Sequence, residues 1–538
     1  MRMKNFTIPK NCAIWIGLAL LIFSGYDIEA ASPEKAQHGG TLIYAVGAEP
    51  PSYDGHREST YAVIHTISPH YNLLLKFDQN NYPKIIGDLA ESWKISEDYK
   101  IYTFKIHKGV KFHDGSLLTS RDIRATYEKI IFPPPGVISI RKAFYSVVDK
   151  IETPDDYTVV FRLKRPSASF LGSLASPWNY IYKADILAKD PRWYEKNIMG
   201  TGPFKFVEHV AGSHWVGKRH EGYFRKGKPY LDGYRAIFIR DTSARLSAIR
   251  GGRVHGEFRF FSSSNRDDAV RTMGDKIQVQ ELLGGSTNTV IFNCEQKPFD
   301  DPRVRRAMTL ALDRWEGSKA LSRIYTSAPK PCGLLRPGEE LSLTEEELEK
   351  IPGFSKNIAA SRKEARNLLK EAGVPDGFSF EFLNRPEYET LAIWLIDQWR
   401  QIGLNVKQKI LEVGSYYKLL RSGEFKVAMH YISEYMSDPD LLFLVFLSSD
   451  VSPSNFGRYI DRELDDLYLK QSMTMDPKER KKLCYQFQKR VMADMAYSFP
   501  PAGWTYRIVL HSSKLKGWNA LPHHFLNMDL EDVWLAKE

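Results

Sequence analysis

The sequence predicts an α/β protein whose second half is built from parallel strands. From about residue 300 onward, helical stripes and strand runs alternate at short intervals, the pattern of βαβ units. The chain has 538 residues, 43% of them hydrophobic and 13% aromatic, enough for two to four domains or one large two-lobed body. That apolar fraction excludes a disordered chain, and 4 Cys in such a length exclude a disulfide-dense scaffold.

The first element is an export signal. Arg2, Lys4 and Lys10 precede an apolar run from Cys12 to Phe23, and small residues follow at Ala30, Ala31 and Ser32. The run is too short for a membrane helix of about 20 residues. Cys12 opens this run and does not follow it, so no lipid-anchor cysteine is expected at the cleavage site. Residues 1–30 are therefore expected to be a cleaved signal peptide and the mature protein to be periplasmic. The net charge of +10 is spread along the chain, and cleavage leaves a body that is still basic. Charge alone is a weak pointer to nucleic acid, and no nucleic-acid partner is expected.

A buried-type strand is predicted over Gly39–Val46. Tyr102, Phe104 and Ile106 alternate with polar residues in a half-exposed strand, and Val110 and Phe112 extend the alternation to a turn at Asp114-Gly115. Thr119 and Asp122 have capping-box spacing for a helix that Pro133-Pro134-Pro135-Gly136 stops. In the second half, Asp301 caps a helix that has Pro302 in its first position. Ser361 and Glu364 box another helix, ending at Gly373. Phe378–Leu383 and Leu404–Leu411 are strands on either side of a helix striped by Leu391, Leu395, Ile396, Trp399 and Ile402.

Catalytic signatures are missing. There is no Gly-x-Ser-x-Gly elbow, His-Glu-x-x-His, phosphate loop or dinucleotide fingerprint. Pro203 removes a donor that a phosphate cradle at Gly200-Thr201-Gly202 would need. His209, His214 and His220 do not share a helical face and read as a loop of exposed histidines, and His523-His524 is an equally weak signal. Asp155-Asp156 and Asp465-Asp466 read as solvated pairs. No metal, cofactor or enzymatic activity is expected. Cys294, Cys332 and Cys484 lack Cys-x-x-Cys spacing, which leaves either one disulfide or three buried thiols. The 11 Trp and 28 Tyr include many beside Gly, Pro or Asp, which suits a cleft that grips a ligand.

Several blocks, in order, resemble the family 5 solute-binding proteins of bacterial ABC transporters, the oligopeptide-, dipeptide- and nickel-binding group. They include Leu89-Ala-Glu-Ser-Trp93, Tyr102 to Gly115, Gly200-Thr-Gly-Pro-Phe204, Pro298 to Ala307, Asp438-Pro-Asp440, Asn455 with Tyr459, and Lys516-Gly-Trp518. The resemblance implies a two-lobed periplasmic-binding-protein clamshell (type II, large, cluster C-like) with an extra subdomain on the first lobe. Lobe I would span 31–288 with an inserted subdomain at about 60–195, lobe II 289–505, and 506–538 would return to lobe I. Thr289–Asn293 and the segment near Trp504 would be the two crossings. A monomer would close on a short peptide or peptide-like solute and present it to permease subunits. Other solutes of the same fold (an opine, an oligosaccharide, a nickel chelate, haem) and a periplasmic sensor role are the alternatives.

Peptide-binding members place an acid a few residues before the Asp-Pro turn to hold the α-amino group. Counted back from Asp438 without a gap, that place falls on Tyr435; with one inserted residue it falls on Glu434. Glu434 is thus the expected cation anchor, its alternative being a solvated acid at a strand end. Trp178, Tyr431 and Trp504 are expected pocket walls, Asn455 a hydrogen-bonding partner of the ligand, and Asn293 and Glu49 residues of the cleft mouth.

Overall fold

The computed structural model describes residues 35–325, 330–433, 436 and 438–537. The expected signal segment, Glu434 and Tyr435 lie outside the described residues. Residues Gln37–Glu538 form one unit, organised around two large sheets. The first sheet has seven strands in the order Ile277–Leu283, Tyr506–Ser512, Gly256–Glu257, Thr41–Val46, Gly233–Phe238, His214–Arg219, Phe204–Val210. The second has five: Asn405–Ile410, Ser379–Asn384, Val427–Ser433, Ser286–Phe292, Ser498–Phe499. A four-stranded antiparallel sheet, Ala90–Ile95, Ile101–Ile106, Thr158–Leu163 and Val148–Asp155, is inserted within the chain of the first lobe.

The helix–strand alternation of the second half gives the expected parallel pairs. Ser379–Asn384 runs parallel to both Asn405–Ile410 and Val427–Ser433, with helix Glu389–Arg400 as a crossover. Leu391, Leu395 and Trp399 of that helix are buried against the core of lobe II, as their spacing requires. Strand Ser286–Phe292 is antiparallel to Val427–Ser433, so the sheet is mixed.

The predicted caps are found at Thr119, where the amide donates to Asp122 Oδ2 at 2.8 Å, and at Asp301, whose Oδ1 accepts from the Arg303 amide at 2.8 Å. Ser361 is not a cap. The helix begins earlier, at Ile358, because Asn357 accepts from the Ala360 amide and serves as N-cap, leaving Ser361 buried inside the helix. The strand of Ile101–Ile106 is not extended by Val110 and Phe112, which turn into the core with only a single bridge, Lys111 to Leu117. The histidines are not an exposed loop either. His209 and His214 belong to paired strands, and His214 and His220 are buried, because a hairpin returns both onto the body of lobe I.

The chain passes between the two sheets twice. It leaves the first at Leu283 and enters the second at Ser286, several residues before the expected crossing at Thr289–Asn293, which lies inside the second sheet. It returns between Phe499 and Tyr506. The two crossings are bonded to each other. The Gly284 amide donates to the Thr505 carbonyl at 2.8 Å, and the Thr505 amide and hydroxyl donate to the Ser286 carbonyl at 3.2 and 2.9 Å. A Cβ on Gly284 would stand 3.0 Å from the Thr505 carbonyl oxygen, which accounts for glycine there.

All three cysteines in the described residues are free thiols. Burial pushes Cys294 up to about 11 and Cys484 up to about 12, so neither is a thiolate at neutral pH.

The chain's last segment is locked onto lobe I by a buried charge cluster. Lys76 Nζ is 2.7 Å from both Asp529 and Glu531, Arg225 contacts Asp88 at 2.7 Å and Glu531 at 2.5 Å, and the Tyr223 hydroxyl donates to Glu531 at 2.6 Å. Beside this cluster lies a cavity of about 310 Å³, lined entirely by lobe I and not by the space between the sheets. Burial opposes ionisation of Glu531, but Lys76 and Arg225 outweigh it and hold the carboxyl well below the usual range. Its folded pKa is depressed, so its contribution is present above the unfolded pKa of about 4.3 and fades as the pH falls below that. Glu531→Gln is expected to cost about 3 kcal/mol in urea unfolding at pH 7, and the gap to the wild type is expected to narrow in titrations taken below about pH 4.

Candidate functional site

In an open α/β sheet, ligands sit outside the carboxyl ends of parallel strands, where side chains from neighbouring strands converge. In lobe II those ends include Asn384 and Ser433, and Ser433 leads into the region of the crossings, since it is paired with Ser286. Arg385 directly follows Asn384. Pro386 then starts a short helical turn that brings Tyr388 back towards it. Helix Val413–Ser422 supplies Tyr416 and Tyr417, and the neighbouring strand supplies Tyr431.

The result is an arginine in a ring of tyrosines. The Arg385 Cζ lies 4.6, 5.4, 5.7 and 5.9 Å from the ring centres of Tyr388, Tyr416, Tyr417 and Tyr431. The guanidinium donates to the Tyr388 hydroxyl, and its buried Nε has no hydrogen-bond partner. The carboxylate beside it, Glu387, is 3.8 Å away and 57% exposed, too loose and too wet to satisfy the fork. Burial, with Arg385 adding repulsion, pushes His430 down to about 4, so this imidazole is neutral at physiological pH.

Lobe I brings three segments together beside the crossings. Helix Tyr61–Ile67, started by Thr60, carries Tyr61 and His65. Phe258–Phe260 follow the short strand Gly256–Glu257, and His523, His524 and Phe525 come from the last segment of the chain. The buried Arg507 fastens these pieces by donating to the carbonyls of Phe258, Arg259 and Leu521. His65 Nε2 and the His524 carbonyl are 2.9 Å apart. His523 Nε2 lies 3.2 Å from Ser433 Oγ, a contact from lobe I to the end of the lobe II strand, beside the crossings.

With this geometry in hand, comparison with known proteins is decisive. A sequence profile described as "Bacterial extracellular solute-binding proteins, family 5 Middle" matches residues 84–454, more than half of the chain. The chain belongs to the family 5 bacterial extracellular solute-binding proteins. It is 26% identical to the dipeptide-binding protein of Escherichia coli K12, the match covering 98% of this chain and 100% of that protein. The ABC transporter-associated periplasmic binding protein DppA of Helicobacter pylori, solved with the peptide STSA, superposes with a TM-score of 0.74 at 25% identity, over 93% of this chain and 99% of that one. AgaA of A. tumefaciens R10, solved with agropinic acid, gives a TM-score of 0.75 at 25% identity over the same shares. The two-lobed clamshell expected from the sequence is thus the fold of this family 5 protein. Among the described residues, no helix is long and apolar enough to cross a membrane.

The sequence-selected residues of this family 5 protein fall in different places. Tyr431, 40% exposed, is part of the Arg385 ring. Trp178 is buried behind Phe525, whose ring meets it edge-on at 5.2 Å, with Arg141 stacked on it at 4.3 Å. Trp504 is fully buried and donates to the Gly333 carbonyl at 3.2 Å, one residue before the Thr505 crossing. Asn293 is fully buried, and its amide serves the fold of lobe II by donating to the Gly423 and Phe425 carbonyls. The Asn455 amide similarly donates to the Leu447 and Tyr459 carbonyls. Glu49 lies 3.4 Å from His209 on lobe I.

Arg385, Tyr388, Tyr417, Arg259 and Tyr61 were not singled out from the sequence. A charged residue one position past a strand destined to be parallel was the available signal for Arg385. His523-His524 is a weak signal alone, because the partners that give it meaning, His65 and Ser433, lie far away in the chain.

Replacing Arg385 removes the second cause of the low His430 value. In ¹⁵N-histidine spectra, His430 is expected to stay neutral down to about pH 4 in the wild type and to titrate at a higher pH in Arg385→Gln.

Proposed function

We propose that this family 5 protein captures a short peptide or peptide-like solute at the floor of the cleft, beside the two crossings, and delivers it to the permease of an ABC importer. The observation that carries this reading is the Arg385 guanidinium, held among four tyrosines with an unused buried donor and only a loose carboxylate neighbour. Such a group suits a ligand carboxylate, which a guanidinium binds through two parallel hydrogen bonds. Tyrosines around it offer apolar area for side chains together with polar handles. Glu434 is assigned to the cationic end of the ligand from its place in the sequence shortly before the Asp438-Pro439 turn.

The protein works by binding alone. A solute that touches both lobes stabilises the closed form relative to the open one, and that closed form is what the permease meets. We assign it a monomeric state, an exported location and lobe boundaries at the Gly284-Gly285 and Thr505 crossings. Similarity to the peptide-bound DppA and to the dipeptide-binding protein supports a peptide ligand. Similarity to AgaA supports an opine-like acid as the second reading.

Native mass spectrometry of protein purified without denaturation is expected to show a retained peptide mass. Calorimetry with that peptide is expected to lose at least about tenfold in affinity for Arg385→Gln and for Glu434→Gln, as for loss of one charge-assisted hydrogen-bonded pair. A retained sugar, haem or metal chelate, or unchanged affinity in both variants, would reject the assignment.

A further inference from the structure

Arg259 is the charged group of lobe I that the proposed function leaves unused. Its backbone is fixed on both sides: its carbonyl accepts from Arg507 Nε at 2.9 Å, and its amide donates to Glu257 Oε1 at 3.1 Å. Its guanidinium lies over the Tyr61 ring at 3.8 Å and the Phe260 ring at 5.0 Å. Nε is buried without a hydrogen-bond partner, and among the described residues no carboxylate lies within ion-pair distance of it. Glu257 does not fill that role, because its side chain is turned to Arg245 at 3.4 Å.

The carboxylate of Glu257 is the near counter-charge, but it is shared with Arg245 and makes no ion pair with the Arg259 guanidinium. His65, His523 and His524 are lowered first by burial, and Arg259 adds to the effect at each of them. They are therefore neutral groups that can hydrogen-bond but cannot balance a cation. Stacking on Tyr61 occupies the face of the guanidinium and leaves its edge, with its fork of N–H donors, for a planar acceptor. Phe260, 52% exposed, stands beside that edge as an apolar contact. Lobe II carries a second such guanidinium, Arg385, beside Tyr431, which lies two residues before the Ser433 that meets His523.

We propose that Arg259 is a carboxylate subsite on lobe I, and that the solute is an acidic peptide-like compound carrying one carboxylate for Arg385 and another for Arg259. This rests on the peptide reading above and narrows it. A ligand with one anion held by each lobe couples both charge-assisted contacts to closure, because neither lobe alone satisfies both groups.

The test compares Ala-Glu with Ala-Gln, which differ in one side-chain charge at nearly constant shape, by calorimetry on the full mature chain. The wild type is expected to bind Ala-Glu at least about tenfold more tightly. Arg259→Gln is expected to bring the two affinities to within about twofold, and Arg259→Lys to retain part of the preference, keeping the charge but not the fork. Equal affinities in the wild type, or a tenfold preference that survives Arg259→Gln, would overturn the subsite. If Arg259→Gln does not fold, the wild-type comparison decides alone. Binding of Ala-Gln without preference for Ala-Glu rejects only this inference, whereas failure of both dipeptides to bind rejects the peptide reading as well.

Discussion

Both lobes depend on one short stretch of backbone pairing, where Gly284, Ser286 and Thr505 hydrogen-bond across the two crossings. Each such bond contributes only about 1 kcal/mol net, but together they place the edge strand of one sheet in continuity with an inner strand of the other. The side chains that follow from them are fixed accordingly. Ser433 is paired with Ser286, so the end of its strand must lie beside the crossings, and the Pro522 carbonyl, which accepts from the Gly285 amide, brings His523 to the same place. The cleft floor is therefore a consequence of how the chain passes between its lobes.

Around that floor, the two lobes solve the same physical problem in the same way. Each offers a guanidinium whose charge is stacked on tyrosine and whose buried Nε has no hydrogen-bond partner: Arg385 among four rings in lobe II, Arg259 over Tyr61 in lobe I. Nearby histidines are kept neutral by burial and by these same cations, so they contribute hydrogen bonding without competing for an anion. Other buried charges are satisfied inside the fold, by carboxylates or, for Arg305, Arg314 and Arg507, by backbone carbonyls. Lys76, Arg225, Asp88 and Glu531 satisfy one another, as do Arg480, Asp438 and Asp440. Arg385 and Arg259 differ from these in keeping a buried Nε that no group of the fold accepts from.

Trp504, expected as a pocket wall, and Asn293, expected at the cleft mouth, illustrate why a sequence is a poor guide to such surfaces. Trp504 and Asn293 lie in segments that do border the two sheets, yet both are fully buried, because an indole N–H or a side-chain amide near irregular backbone is readily recruited to satisfy orphan carbonyls. Tyr431 escapes this fate by lying near the open end of its strand. Arg385 was invisible for the opposite reason: nothing local marks an arginine as unpaired, and its tyrosine ring is assembled from positions 388, 416, 417 and 431.

By itself the sequence determined what local physics controls. The strand over Thr41–Val46, the caps at Thr119 and Asp301, the parallel βαβ unit of residues 379–410 and the family's ordered motifs follow from periodicity, capping and turn chemistry within a few residues. Only the tertiary structure decided where the crossings fall, that the histidine hairpin is buried, and which cations remain without a partner. Those properties depend on contacts between residues far apart in the chain, such as Arg507 with Arg259 and His523 with Ser433, whose free energies have no counterpart in any local window.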